Sequence, residues 1–222
     1  MAGTTTGQDL ELVIGKGNGG GGSKMPPPGG NGGGDGGERG PKGQPPPTKY
    51  YAGMAIAIVA ILMFFMALAA AFLIRKGTGG WVPVHIPGLL WVNTAILLAS
   101  SATLEMARKR LAKSDAIGFR KLWQVTTILG VMFLVGQLVA WRILAGQGIY
   151  LATNPASSFF YIFTGAHALH LLGGVCALLY VARRNYDHAK VSRGVAAEVA
   201  SYYWHFMDAL WLFLLALLYL GK

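Results

Sequence analysis

The sequence predicts an all-α, polytopic membrane protein whose five transmembrane helices pack as an antiparallel bundle. The 222 residues are 53% hydrophobic and only 13% charged, which leaves too little polar surface for a soluble domain of this size. The apolar residues are gathered into five long runs, and the basic residues alternate between two sets of loops. These features argue against a soluble enzyme and against a nucleic-acid-binding domain.

Each apolar run is long enough to cross the hydrocarbon layer, which requires about 20 residues at roughly 1.5 Å per residue. Because the connections between the runs are short, consecutive helices are expected to lie side by side in opposite directions. The predicted spans are 51–74, 87–107, 121–144, 157–182 and 198–220.

The distribution of the 19 Lys and Arg residues predicts the orientation of the bundle. Fifteen of them lie in the N-terminal tail and in the second and fourth loops, whereas four lie in the other loops and at the C-terminus. Basic residues accumulate on the cytoplasmic side of membrane proteins. The N-terminus is therefore expected inside and the C-terminus outside. The net charge of +10 then reflects orientation and contact with anionic lipid, and no nucleic-acid partner is expected.

Residues 1–48 differ from the rest of the chain in composition. They are dominated by glycine and contain two proline triplets, at 26–28 and 45–47. Such a segment buries too little apolar surface to offset the entropy lost on ordering. We therefore expect a flexible tail at 1–48 and a transmembrane domain at 49–222. The N-terminus lacks the apolar stretch of a cleavable signal peptide, so the first span is expected to direct insertion.

The single cysteine, Cys176, limits the chemistry that the chain is expected to perform. It lies in the fourth apolar run and has no second cysteine with which to form an internal disulfide. Covalent haem attachment, an iron–sulfur cluster and a dinuclear copper site all require more cysteines than one. No metal site and no bound cofactor are therefore expected in this chain.

The most informative residues are polar side chains inside the fourth and fifth spans. Ionisable groups are costly in hydrocarbon and normally face a bundle interior or a partner. Helical spacing places the members of each set on one face, and the two sets are expected at similar depths in the membrane. The predicted intramembrane polar cluster comprises Thr164, His167 and His170 on span four, with Glu198, Ser201, His205 and Asp208 on span five.

Several interpretations of this cluster are open from the residues alone. In the first, His–Asp and Thr–His hydrogen bonds fasten helices four and five together. In the second, His170 and His205 bind a haem b between the two helices, as in a small membrane anchor. In the third, the row conducts protons, as chains of His, Asp and Glu do in pumps and in proton-coupled carriers. Contact with a partner subunit or a lipid head group is the remaining alternative.

Sequence motifs in four spans resemble subunit III of the haem–copper terminal oxidases. The last span contains the run 203–211 (YWHFMDALW), which is similar to the signature of that family's last helix, and Glu198 stands seven residues before His205 as in the family. The preceding span contains 164–170 (TGAHALH), followed by Gly173 and Gly174. Weaker similarities occur at 93–101 and 127–137. The resemblance covers residues 51–221.

The resemblance implies a non-catalytic subunit of an oxygen-reducing complex, in the five-helix bacterial form. Subunit III of this family carries no haem or copper, and those cofactors are expected in the partner subunits. The implied partners are the catalytic subunit I, subunit II and phospholipids. The implied role is to stabilise the catalytic subunit and to support proton uptake and lipid binding, in the bacterial inner membrane.

The resemblance also assigns roles to individual positions. Arg183 and His188 fall where the family has a basic pair that contacts a lipid phosphate, although inside-facing positive charge also explains them. The sequence departs from the family at Ile61, where a membrane glutamate is common, and at Ala140, where an acidic residue is frequent. Proton collection through that glutamate is therefore not expected, and stabilisation is the principal implied role.

Overall fold

The computed structural model describes residues 48–78, 81, 88–184 and 192–221, and every regular element among them is an α-helix. The five predicted spans are confirmed, and each helix is long and apolar enough to cross a membrane. The chain therefore has the architecture of a multi-pass membrane protein. The helices are α1 (Thr48–Gly77), α2 (Leu89–Ala112), α3 (Ala116–Gly146), α4 (Pro155–Arg183) and α5 (Arg193–Leu220).

Three helices begin several residues before the apolar runs because capping side chains, and not hydrophobicity, determine where they start. The Asp115 carboxylate accepts a hydrogen bond from the backbone N–H of Gly118 at the start of α3. Asn154 forms a reciprocal capping box with Ser157 at the start of α4, and Ser192 caps α5. Such side chains satisfy backbone N–H groups that have no partner within the helix.

Helices α2 to α5 pack in sequence order, and α2 also contacts α5. Trp123, near the start of α3, donates a hydrogen bond to the carbonyl of Leu178, near the end of α4. Trp211, late in α5, donates to the hydroxyl of Thr94, early in α2. These contacts show that α3 and α4, and likewise α2 and α5, run in opposite directions.

Helix α1 corrects the prediction that all consecutive helices are neighbours. Among the described residues it contacts α4 and α5 and makes no contact with α2. Tyr51 bonds to Glu198 where both helices begin, and Lys76 bonds to the carbonyl of Leu220 where both end, so α1 and α5 are parallel. The connection 78–88 is long enough to span roughly 35 Å, whereas packed helices lie about 8–10 Å apart. Helix α2 can therefore start away from α1.

Large aromatic side chains pack in the interior of the bundle, and apolar side chains also cover much of its outer surface. Trp123, Trp204, Trp211 and Phe133 are almost completely buried, and the rings of Phe133 and Trp211 meet edge to face at 4.9 Å. Large apolar side chains on the outside remain uncovered, and Ile56 is 71% exposed. An apolar exterior of this kind is suited to contact with lipid chains or with other membrane helices.

Candidate functional site: the polar seam between α2 and α5

A row of polar contacts, which we call the α2–α5 seam, follows the interface between α2 and α5. It starts at the proximal end of the bundle, defined as the end at which α1, α3 and α5 begin. There Arg108 of α2 lies 3.1 Å from the Glu105 carboxylate and 3.7 Å from that of Glu198 on α5. Glu198 also accepts hydrogen bonds from Tyr51 of α1, at 2.7 Å, and from Tyr202. This cluster therefore connects three helices.

The next level of the seam lies deeper in the bundle. Ser101 Oγ of α2 and His205 Nδ1 of α5 are 2.6 Å apart and share a hydrogen bond. Beside them, the Trp204 indole N–H donates to Ser100 Oγ at 2.9 Å. Two consecutive residues of α5 thus bond to two consecutive residues of α2, which fixes the register of the two helices.

Asp208 is the deepest ionisable residue of the seam. It is 5% exposed, and neither of its carboxylate oxygens has a hydrogen-bond partner among the described residues. Ser101 is the polar side chain near it, but the Ser101 hydroxyl is directed to His205. The residue Ser201, one turn before His205, donates to the carbonyl of Ala197 in its own helix. A buried carboxyl without hydrogen-bond partners is unusual in a folded protein.

The polar residues of α4 point to three different neighbours. Thr164 Oγ1 accepts a hydrogen bond from the Trp141 indole of α3 at 3.0 Å. The imidazole of His167 is fully buried with its centroid 5.1 Å from that of Trp211, and neither of its ring nitrogens has a hydrogen-bond partner within the described ranges. His170 donates from Nδ1 to the carbonyl of Ala166 at 2.7 Å.

No hydrogen bond joins any two of the seven predicted cluster residues, all of which lie in the described part of the chain. The interpretation that His–Asp and Thr–His bonds fasten α4 to α5 is therefore wrong. The bond between these helices runs instead from the Tyr203 hydroxyl to the carbonyl of His170, at 2.8 Å. Helix α5 packs against both α2 and α4. Its stripe of Glu198, His205 and Asp208 faces α2 and not α4. Helical periodicity predicts which residues share a face but not which helix that face meets.

The two histidines of the haem interpretation face different helices. His170 packs against α1, with its ring centroid 5.6 Å from that of Phe65, whereas His205 bonds to α2. This arrangement does not fit a haem held between α4 and α5 by both imidazoles. Among the described residues, no group of three or more His, Cys, Asp or Glu side chains is arranged to hold a metal ion.

The remaining predicted positions lie apart from the seam. Arg183 ends α4 and lines a cleft at the proximal end of the bundle, and its predicted companion, His188, lies outside the described residues. Ile61 is half-buried on α1 and Ala140 is fully buried on α3. Both departures from the family motif are therefore apolar packing positions in this chain.

The sequence reasoning missed several residues that build the seam. Arg108 belongs to the basic second loop, and Ser100 and Ser101 to the stretch 93–101, but the sequence predicts no contact for them. It likewise predicts no hydrogen bond for Tyr51 or Trp204. A buried indole N–H requires an acceptor, so each tryptophan within a span was a signal that a hydroxyl or carbonyl on a neighbouring helix would face it.

The chain is similar to one protein family over nearly all of its described length. The family model for cytochrome c oxidase subunit III matches residues 48–221. A probable cytochrome c oxidase subunit 3 of Nocardia farcinica is 34% identical over 173 residues, which cover 75% of this chain and 85% of that protein. The Mycobacterium tuberculosis protein of the same description is 32% identical over 164 residues (71% and 81%). Cytochrome c oxidase subunit 3 of Thermostichus vulcanus is 32% identical over 174 residues (76% and 85%). The resemblance in the four motifs is thereby confirmed: the chain belongs to the cytochrome c oxidase subunit III family.

Proposed function

We propose that this chain is the auxiliary, non-catalytic subunit of a haem–copper oxidase in a bacterial inner membrane. The observation that carries the proposal is the family match across residues 48–221. In this assignment the chain contacts the catalytic subunit I and subunit II, and those partners hold the haem and copper. Oxygen reduction then takes place in the complex, and the chain itself performs no redox chemistry.

The geometry of the seam supports a stabilising role. Most of its hydrogen bonds join neighbouring helices of the same chain, as in the Ser101–His205 and Trp204–Ser100 pairs and in the bond from Tyr51 to Glu198. Hydrogen bonds between helices within a membrane each contribute about 0.6–2 kcal/mol. A bundle fixed in this way presents a defined outer surface to the subunit beside it.

The α2–α5 seam also offers a route by which the chain supports proton uptake. Glu198 and Glu105 lie at its proximal end, His205 follows, and Asp208 is the deepest group. Glu198 and Asp208 are ten residues apart on one helix, which corresponds to about 15 Å along the membrane normal. Rows of ionisable residues within membranes are typical of proton relays. The seam replaces, in this proposal, the glutamate that the family carries where Ile61 stands.

Lipid binding is proposed for a groove between α1, α4 and α5. Its volume is about 600 Å³, and its walls are mainly apolar, with Met54 and Val199 among them. The groove also contains Tyr50, Tyr203 and Arg184. Apolar walls beside aromatic and cationic side chains suit an acyl chain with an anionic head group. Arg183 stands at the same end of α4, where the resemblance implies a phosphate contact.

The orientation of the chain is part of the proposal. The proximal end carries the second and fourth loops, and with the N-terminal tail these segments hold 15 of the 19 Lys and Arg residues. The positive-inside rule then places the proximal end in the cytoplasm. A cysteine introduced at Ser114, between α2 and α3, is expected to react in intact cells only with thiol reagents that cross the membrane.

The test of the proposed function is purification in mild detergent through a tag on this chain, with an absorption spectrum and mass spectrometry of the eluate. We expect subunits that bear haem to co-elute, and we expect no Soret band once this chain has been separated from them. A solitary chain that retains haem would support the anchor built on His170 and His205 and overturn the assignment. Ion or solute transport by the isolated chain would support a carrier.

A further inference from the structure

A hollow on the surface of the bundle, which we call the distal hollow, lies between the end of α3 and the start of α4. The distal end of the bundle is the one at which α1, α3 and α5 end. The hollow has a volume of about 380 Å³, and three aromatic side chains line it: Trp141 of α3, Tyr150 of the α3–α4 connection and Tyr161 of α4. Arg142 of α3 lines it as well and is exposed. The hollow therefore combines one guanidinium with three aromatic rings.

Arg142 has no charge partner within this chain. It forms no hydrogen bond or ion pair with any described residue. Other cations of the distal end differ, because Arg75 bonds to the Thr78 hydroxyl. Lys76 likewise bonds to the carbonyl of Leu220. The stretches of sequence that form the distal end contain no Asp or Glu: residues 75–92, 141–158 and 216–222. A second copy of the chain lacks these residues at the same end, so any carboxylate side chain that faces Arg142 belongs to a different protein.

The rings of the hollow differ from those of an ordinary aromatic belt at the membrane interface. In such a belt the polar tips of Trp and Tyr lie at the level of the lipid head groups. Here the Trp141 indole donates to Thr164 Oγ1 at 3.0 Å, and the Tyr161 hydroxyl donates to the carbonyl of Ile149 at 2.8 Å. Bonds within the chain thereby hold both rings, whose centroids are 6.3 Å apart. The two rings offer apolar contact area to a ligand.

Two hydrogen-bond donors of the hollow remain available: the Arg142 guanidinium and the Tyr150 hydroxyl, which has no hydrogen bond to any described residue. A guanidinium binds a carboxylate through two parallel N–H···O bonds, and a phenol can donate a third. Trp, Tyr and Arg are also the residues that contribute most to binding at protein–protein interfaces. An anionic lipid suits the hollow less well, because the negative surface potential belongs to the cytoplasmic leaflet and the proposed orientation places the distal end outside.

We propose that the distal hollow is a docking site for another subunit of the complex, which places an Asp or Glu side chain against Arg142 and apolar atoms against Trp141 and Tyr161. This interface rests on the proposed function, because it requires a partner subunit that reaches the outer face of the membrane. It lies at the opposite end of the bundle from the lipid groove.

The experiment uses the purified complex with Arg142→Lys, treated with a water-soluble carbodiimide and digested for mass spectrometry. The carbodiimide couples an amine to a carboxylate in contact with it, so the proposed ion pair is converted into an amide. We expect a cross-linked peptide that joins position 142 to an Asp or Glu of another subunit. Arg75→Lys is the matched control, because it places an amine at an exposed position of the same end but outside the hollow. This control should yield no such peptide.

The second measurement is the rate at which the chain leaves the complex in a detergent wash. Arg142→Gln is expected to dissociate about tenfold faster than the unmodified chain, because removal of one partner of a charge pair acts mainly on the dissociation rate. Arg75→Gln should dissociate at the unmodified rate. The absence of a cross-link at position 142, or equal dissociation of the two Gln variants, would overturn the interface.

Two further outcomes identify what is wrong if the interface fails. Loss of bound phosphatidylglycerol from Arg142→Gln, without a cross-link in Arg142→Lys, would assign the hollow to a lipid instead of a protein. Co-elution of the haem-bearing subunits is recorded in each preparation. Co-elution without the cross-link counts against this interface alone, whereas an unmodified chain that co-elutes with no other subunit overturns the proposed function as well.

Discussion

The hydroxyl of Tyr51 donates a hydrogen bond of 2.7 Å to the carboxylate of Glu198, and this contact joins two parallel helices, the most distant in sequence, close to where they begin. Glu198 also faces Arg108 of α2. In the described part of the chain α1 and α2 do not contact each other, and the Glu198 carboxylate links both of them to α5 at the proximal end. Glu198 therefore has a structural role that its place in a sequence motif does not explain.

Removing the Tyr51 hydroxyl should weaken the attachment of α1. We expect Tyr51→Phe to lower the free energy of unfolding by about 1 kcal/mol, because the lost hydrogen bond is partly exposed to solvent. The measurement is denaturant unfolding of the purified chain in a fixed detergent. Tyr50→Phe is the control, since the Tyr50 hydroxyl has no hydrogen bond to any residue that the structure describes. A variant at Tyr51 that is as stable as the control would show that Arg108 and Tyr202 hold Glu198 without the Tyr51 hydroxyl.

Gly130 should not tolerate a side chain. A Cβ at this position of α3 would lie 2.5 Å from the ring of Trp204, and Trp204 is fixed by its bond to Ser100. We expect Gly130→Ala to cost about 1–3 kcal/mol of unfolding free energy through overpacking, measured in the same detergent assay. Gly173→Ala is the control, because the nearest atom to its Cβ is 3.9 Å away. Equal stability of the two variants would contradict the close approach of the Trp204 ring to Gly130.

The sequence predicted the number and position of the helices well because hydrophobic length is a local property. The fourth span was expected at 157–182, and α4 extends over Pro155–Arg183. The differences at the helix ends come from capping residues such as Asp115 and Ser192, which lie outside the apolar runs. The predicted boundaries follow the apolar runs, and short capping signals lie outside those runs.

Helix neighbours and hydrogen-bond partners could not be predicted in the same way. The stripe of Glu198, His205 and Asp208 was expected to face α4, but it turns to α2 because α5 is packed between both. The short connections predicted that α1 and α2 are neighbours. This prediction is wrong because segment 78–88 is long enough for α2 to start away from α1. Partner choice in a bundle depends on contacts that are remote in sequence, so a single sequence contains no direct record of it.

The N-terminal cap of α3 should make stability depend on pH. The pKa of Asp115 is lowered from its usual value, chiefly because its carboxylate accepts a hydrogen bond from the Gly118 N–H and also because it faces the Arg110 guanidinium. A carboxyl with a lowered pKa contributes stability above its unfolded pKa, near 3.9. That contribution is lost as the pH falls through the folded pKa.

Asp115→Asn tests this dependence, because asparagine keeps the cap but has no charge to titrate. We expect the stability difference between the unmodified chain and the variant to be constant near neutral pH and to shrink on acidification below about pH 4. Unfolding at a series of pH values in one detergent measures it. Parallel stability curves for the two proteins at all pH values would contradict a role for the charge.

The Ser101–His205 bond should connect the stability of the seam to assembly of the complex. We expect His205→Ala to release this chain from the purified complex more readily in a detergent wash, because the variant loses the 2.6 Å bond and leaves a cavity beside α2. Asp208→Ala should act in the same direction, since it also removes buried volume from the seam. The haem and copper content of the catalytic subunit should not change, because neither residue belongs to a metal site in the proposed function.

A double-mutant cycle separates the bond from the cavity. If the hydrogen bond carries the effect, Ser101→Ala should add little to His205→Ala, with a coupling energy of about 1 kcal/mol. Cys176→Ala, at an exposed position of α4, controls for the purification itself. If the complex retains the His205→Ala chain as well as it retains the unmodified chain, the seam has no role in assembly. Haem lost from the complex in step with this chain would instead indicate that the chain helps to hold the cofactor, against the assignment as a stabilising subunit.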